Sequence, residues 1–205
     1  MKKLIDVPYI DQTKDWPTGC ESVSAVMLLK YLGLPITVER FVRDYLPQEP
    51  MKKIDGVLYG PDPNVKFAGS PKDPDSFGCY PPVIVEALNK YFAEYRGYRA
   101  EDATGVSDVN LLLENVYQDM PVIYWTSLDL DPTYPGPVWV NTATGHAFTW
   151  ISNEHCMLLV GYDDEADMLI FNDPWQNHSV VAAPRALAEK RHAELGRRAV
   201  IVRIR

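Results

Sequence analysis

The sequence predicts an α+β fold, in which a central N-terminal helix packs against a C-terminal antiparallel β-sheet. Three observations carry this expectation. The segment "CESVSAVMLLKYLG" is apolar over most of a helical circumference, so it belongs in the interior rather than on a surface. Helical patterns dominate the first 120 or so residues, and strand-like apolar runs crowd the remainder. Strand "HCMLLVGY" runs down, "DDEA" turns and "DMLIFND" runs back, a hairpin of antiparallel neighbours. At 205 residues the chain is long enough for one well-buried core. No repeat or linker divides it, so a single domain is expected over 1–205, with a helical part at about 18–118 and a sheet part at about 121–205.

Element by element, "LIDVPYI" reads as a short opening strand, followed by the polar loop "DQTKDWPTG". The first helix is expected from about Gly19 to Leu32. Thr18 and Glu21 form a capping-box pattern at its start, and Gly33 and Pro35 close it. A short helix should follow at about 38–46, stopped by Pro47. Residues 47–80 are rich in Pro, Gly and Asp and read as a long loop. "PPVIVEALNKYFAEY" opens with prolines suited to a first turn and ends at Gly97. "SDVNLLLENVYQD" is a further helix with Ser107 as its cap. "MPVIYWTS" is a buried strand, and residues 128–145 form a second loop. "AFTWI", "HCMLLVGY", "MLIFND" and "AVIVRI" are strands of the closing sheet, with a helix at 184–195 before the last.

Composition narrows the function. Lys and Arg number 20 against 28 Asp and Glu, a net charge of −8. That balance argues against a nucleic-acid partner and against an anionic membrane surface, because both need basic patches. No run approaches the roughly 18 apolar residues of a membrane span, and "MKKLIDVPYIDQ" lacks the apolar core of a signal peptide. As written, the chain is expected in the cytoplasm; a trimmed chain would be compatible with a secreted or surface-attached protein. Three cysteines, Cys20, Cys79 and Cys156, do not make a disulfide framework. No CxxC and no His spacing suggests a metal, so neither metal nor cofactor is expected.

Cys20 lies at the second position of the capped helix, beside free backbone donors and the positive end of the helix dipole. That placement is expected to lower its pKa. A thiolate nucleophile needs an imidazole, and the imidazole needs a group to orient it. The hairpin "HCMLLVGYDDEADMLIFND" supplies both when its register sets His155 directly opposite Asp173, because opposed residues share a sheet face. The backbone N–H of Cys20 and the side-chain amide of Gln12 are candidate oxyanion donors. Trp16 and Trp175, each flanking a candidate, are expected to wall the cleft. Cys156 and Cys79 read as packing residues, His178 and His192 as surface residues, and His146 as the second choice of base. Asp163 and Asp164 sit at a solvated hairpin tip.

The strings "VPYIDQTKDWPTGCESVSAVMLLKYLG", "FAGSPKDPDSFGCYPPVIVEALNKY", "EHCMLLVGYDD" and "FNDPW" resemble, in order, the stand-alone relatives of bacteriocin-leader-processing cysteine peptidases of the papain-like superfamily. The resemblance covers about residues 7–175. It implies a papain-like fold, a peptide or protein substrate, and a thiol hydrolase working through an acyl-enzyme. Cys20 would be nucleophile, His155 general base and acid, Asp173 the orienting carboxylate and Gln12 the oxyanion donor. The same residue set also fits an acyl transferase of transglutaminase-like type, or a peptide-binding module that has lost catalysis.

Overall fold

In the computed structural model, residues 1–175 and 178–205 are described. The main sheet has seven strands: β1 (Lys2–Leu4), β6 (Tyr98–Asp102), β7 (Val122–Ser127), β10 (Glu154–Asp163), β11 (Met168–Asp173), β12 (Ser179–Pro184) and β13 (Ala199–Ile204). Their order is β12-β11-β10-β7-β13-β6, antiparallel throughout, and β1 also pairs with β10. The chain thus has the mixed helix-and-sheet fold expected of it, with a mainly antiparallel sheet.

The helices are α1 (Cys20–Tyr31), α2 (Val38–Asp44), α3 (Pro81–Glu94), α4 (Val109–Tyr117) and α5 (Arg185–Glu194). Helix α1 is buried from Cys20 through Leu29 and lies chiefly against β10. Its end is the expected one: Gly33 has φ +74° and its N–H donates to the Lys30 carbonyl. Helix α3 opens on its two prolines, as expected. The cap of α4 is Asp108, whose side chain accepts from the Asn110 N–H, and not Ser107. Strand β7 is buried at every residue, which its unbroken apolar run required.

The two stretches read as long loops contain strands. Within residues 47–80 are β2 (Gln48–Glu49), β3 (Lys52–Ile54), β4 (Val57–Gly60) and β5 (Phe67–Ala68). Within 128–145 lies β8 (Tyr134–Asn141), preceded by a single 3-10 turn at Leu128–Leu130. Strands β3, β4 and β8 form a separate four-stranded sheet with β9 (Ala147–Ser152), in the order β3-β4-β8-β9. The "AFTWI" strand therefore belongs to this second sheet and not to the main one. Trp139 and Trp150 of the second sheet pack on Phe77, and Trp150 stacks on Tyr80. These contacts fix the sheet on the segment leading into α3. No helix among the described residues is long and apolar enough to cross a membrane.

Strand β10 is the longest of the main sheet and shares one edge between two partners. Its first part pairs with β7 and its last part with β1. At the changeover, a Cβ on Gly161 would lie 2.3 Å from the Lys3 carbonyl oxygen, so no side chain fits there. Gly161→Ala is expected to cost about 1–3 kcal/mol through overpacking against backbone. Denaturant midpoints read the loss, and hydrogen exchange should show β1 released first.

Candidate active site

Cys20 is the first residue of α1, one position earlier than the capping pattern places it. The N-cap is Gly19 and makes no side-chain cap. Thr18 does not cap the helix either: its hydroxyl reaches the carbonyls of Ser70 (3.1 Å) and Asp73 (3.0 Å). Glu21 turns away from the helix start. Its Oε1 accepts the Cys79 N–H at 2.6 Å and its Oε2 accepts the Cys20 S–H at 3.3 Å. The capping box fails because a backbone donor from the 78–79 segment takes the glutamate. The turn is held instead by backbone bonds from Trp16 N–H to Gln12 and from Gly19 N–H to Trp16.

Burial, and after it Glu21 and Glu154, pushes the Cys20 thiol well above the ordinary cysteine value. The expected lowering is thus reversed. A helix N-terminus is worth at most about 2 kcal/mol to an anion, whereas full burial of a charge costs several kcal/mol. Desolvation wins, and the resting group is a thiol.

His155 and Asp173 are both buried, and His155 Nε2 lies 2.7 Å from Asp173 Oδ1. The register that brings them together is not the expected one. Strand β11 pairs with β10 through Leu158↔Asn172 and Leu159↔Phe171, with a bulge before Gly161↔Ile170. Continuing that register sets Asp173 across from Met157, while His155 is partnered by Thr126 on β7. The displacement is two residues, which keeps both side chains on one face. The imidazole's other nitrogen, Nδ1, is left free of Asp173.

Asp173 also accepts the Trp175 N–H at 2.9 Å, and its Oδ2 lies 2.9 Å from His178 Nδ1. Burial works against its charge, yet His155 and these further donors hold the carboxyl below the ordinary aspartate value. His178 is therefore no plain surface residue; it engages the carboxylate oxygen that His155 leaves free. His192 is not at the surface either. It is buried, stacked on Tyr124 and bonded to the Trp125 carbonyl, with burial pulling its pKa down to about 4. His146 lies exposed beside the β8–β9 turn of the second sheet.

Cys20, His155, Gln12 and Trp175 meet at one opening of about 160 Å³, together with Pro17, Thr18, Phe77, Leu128 and Glu154. Gln12 is 1% exposed; its Nε2 donates to the Trp16 and Pro17 carbonyls at 3.4 and 3.3 Å, and its Oε1 has no partner. Its backbone N–H donates to the Pro174 carbonyl at 2.9 Å, tying the loop before α1 to the residue after Asp173. Trp16 does not line this opening. It walls a neighbouring one with Lys72 over its ring, and so leaves the expected cleft wall to Trp175 and Phe77. Cys79 and Cys156 are free and wholly buried, consistent with packing roles.

Sequence reading missed two carboxyls here. The capping pattern accounts for Glu21 as a helix-start residue, and Glu154 has no part in the predicted constellation beyond standing next to His155. Burial raises Glu21 to about 7 and, with Glu21 beside it, holds Glu154 well above the ordinary range. The only sequence signal for either was its adjacency to a chemistry-bearing residue.

A helix that opens on a thiol, set against a sheet that carries an imidazole and a carboxylate, belongs to the class of papain-like cysteine peptidases. Within that class, the chain belongs to the Peptidase_C39-like family, whose model matches residues 4–200. A C39-like peptidase from Bacillus anthracis is similar over 99% of this chain and 98% of its own, at 25% identity and a TM-score of 0.83. The double-glycine-motif protease of an AMS/PCAT transporter, solved with its leader peptide, covers 98% of this chain and 93% of its own at 15% identity and a TM-score of 0.48. Xylellain, a cysteine protease from Xylella fastidiosa, covers 98% and 85% at 13% identity and a TM-score of 0.46. No curated protein matches the chain.

The raised carboxyl beside the thiol sets a pH dependence. A group at about 7 in the folded chain and near 4.5 when unfolded binds its proton more tightly in the fold. Stability is then greatest below pH 4.5 on this account and is lost as pH rises to about 7. Glu21→Gln should remove that slope, changing the difference in unfolding free energy between pH 5 and pH 8 by about 1–3 kcal/mol. Urea titrations at the two pH values measure it.

Proposed function

We propose that this cysteine peptidase hydrolyses peptide bonds through a Cys20–His155–Asp173 acyl-enzyme mechanism. The observation that carries the reading is the buried 2.7 Å His155–Asp173 pair, whose imidazole lines the same cavity as Cys20. Asp173 engages Nε2, which leaves Nδ1 as the nitrogen able to take the thiol proton. Because the resting group is a thiol, that proton moves to His155 as sulfur attacks the substrate carbonyl, and the new imidazolium is stabilised by Asp173. The imidazolium then gives its proton to the departing amine, leaving a thioester. Water, deprotonated by His155, resolves the thioester to acid and free thiol.

The tetrahedral oxyanion would be met by the backbone N–H of Cys20 and by the Gln12 amide. Gln12 Nε2 now spends long bonds on two carbonyls of its own loop, which a charged oxygen can outcompete. Trp175 and Phe77 wall the substrate side of the opening. The substrate class is a peptide or protein chain.

Digestion of a peptide library by the whole chain tests the reading. Cleavage should vanish in Cys20→Ala and in His155→Ala, and Gln12→Ala should lower kcat by about 10²–10³. Cleavage that survives Cys20→Ala would overturn it. Iodoacetamide should label Cys20 with a midpoint above that of a free cysteine, since burial holds the thiol protonated. A midpoint well below pH 8 would contradict the assigned resting state.

A further inference from the structure

The opening holds chemistry that the proposed reaction does not use. Donor atoms of Cys20, Glu21 and Glu154 all lie within 4.8 Å of one another. Cys20 Sγ and Glu21 Oε2 are already 3.3 Å apart. Glu154 Oε1 is sealed from solvent and has no hydrogen-bond partner. Gln12 Oε1, on a side chain 1% exposed in the same opening, is equally unpartnered. The backbone of Gly78 closes over the carboxyls: a Cβ there would meet Glu21 Oε1 at 2.5 Å and Glu154 Oε2 at 3.4 Å.

Acceptors crowd this buried end of the opening, and either protons on the carboxyls or a bound cation can balance them. Arg198 acts on Glu154 from a distance, but its guanidinium is stacked on the Tyr80 ring. An ammonium group has no use for the sulfur. A thiophilic divalent metal has, and thiolate with carboxylate oxygens is a donor set that zinc accepts.

We propose that Cys20, Glu21 and Glu154 form a binding site for a zinc-type divalent cation, and that an ion bound there withholds the sulfur from reaction. Taking Cys20 as the reacting sulfur rests on the function proposed above; the binding itself does not. Zinc–sulfur and zinc–oxygen bonds of about 2.3 and 2.0–2.2 Å set neighbouring donors about 3.3–3.8 Å apart in a tetrahedral shell. The thiol–Glu21 pair, at 3.3 Å, is within about 0.4 Å of the sulfur–oxygen spacing, and side-chain rotation of Glu21 and Glu154 closes the remainder. On binding, the thiol proton and any protons on the two carboxyls pass to solvent, three metal–ligand bonds form, and no oxidation state changes. The fourth position faces the opening, where water or His155 Nδ1 completes the shell.

Cadmium reports the site without reference to activity, because its thiolate bond gives an ultraviolet charge-transfer band. Titrating cadmium into the whole chain should give one bound ion with that band. Cys20→Ser should abolish it, Cys79→Ser and Cys156→Ser should retain it, and Glu154→Gln should weaken affinity at least about tenfold. Glu154→Gln is the decisive variant, since Glu154 Oε1 has no partner to lose, whereas Glu21 also holds the Cys79 N–H. One equivalent of zinc should also block iodoacetamide labelling of Cys20, and a chelator should restore it. No band, a band that survives Cys20→Ser, or unchanged affinity in Glu154→Gln would overturn the site. Failure of peptide hydrolysis with the band intact would instead count against the proposed reaction alone.

Discussion

The packing of α1 against β10 is the constraint from which the geometry of the opening follows. From Cys20 through Leu29 the helix has no exposed face, so it cannot slide or roll without opening a cavity on one side and a clash on another. Val23, Val26, Met27, Leu28 and Leu29 are fully enclosed, each worth about 1.5–3 kcal/mol in buried apolar surface. A single polar contact then sets the register: Ser24 Oγ donates to the Cys156 carbonyl at 3.2 Å. That bond lies about one turn past Cys20 on the helix and one residue past His155 on the strand. Sulfur and imidazole are placed relative to each other by a core contact, not by one of their own.

A second tie works at the loop level. Gln12 N–H to the Pro174 carbonyl joins the segment before α1 to the segment after β11, and Trp175 N–H closes onto Asp173. Both ties lie within two residues of Asp173, so the carboxylate is held by backbone on its own side of the cavity. This explains why three carboxyls in one buried neighbourhood differ in charge. Asp173 receives bonds from two imidazoles and a backbone N–H, enough to outweigh burial. Glu21 receives the Cys79 N–H, its own N–H and the thiols of Cys20 and Cys79, none of them charged, and full burial prevails over all four. Glu154 keeps one oxygen without any partner, and its carboxyl is the more strongly displaced from the ordinary range. Depth of burial, together with whether a donor can itself carry positive charge, decides which of them is an anion.

What the sequence made legible was local and periodic. Helix α1 is apolar all round, α3 opens on Pro-Pro, and β7 is an unbroken apolar run, and each stands where its pattern puts it. The His155–Asp173 pair was readable because both ends belong to one hairpin. Its register was two residues out because the turn closes at Asp163↔Met168, further along the chain than the composition of the turn indicates, and the one-residue bulge between Leu159 and Gly161 only partly offsets that shift. The second sheet was illegible for a different reason. Its strands are short, β8 carries two prolines, and β4 pairs in parallel with β8 some 80 residues later. Long-range pairing of that kind writes no period into either segment. Glu21 was misread by a rule that looks three residues back, when its donor comes from Cys79, 58 residues on.

The same long-range contact inverts the electrostatics that a helix end would confer on its own. A thiol at the first position of an isolated helix faces free N–H groups and solvent, and both favour its anion. Here the 78–79 segment closes over that end, removes the solvent and takes the Glu21 carboxyl beside the sulfur. Every change made by that closure favours the neutral thiol. Under the proposed mechanism the sulfur therefore gains its charge only when a substrate carbonyl is present to receive it, with His155 taking the proton. Reactivity is then confined to the occupied cleft, and two carboxyls that look like obstacles to catalysis serve as the means of keeping an idle thiol idle.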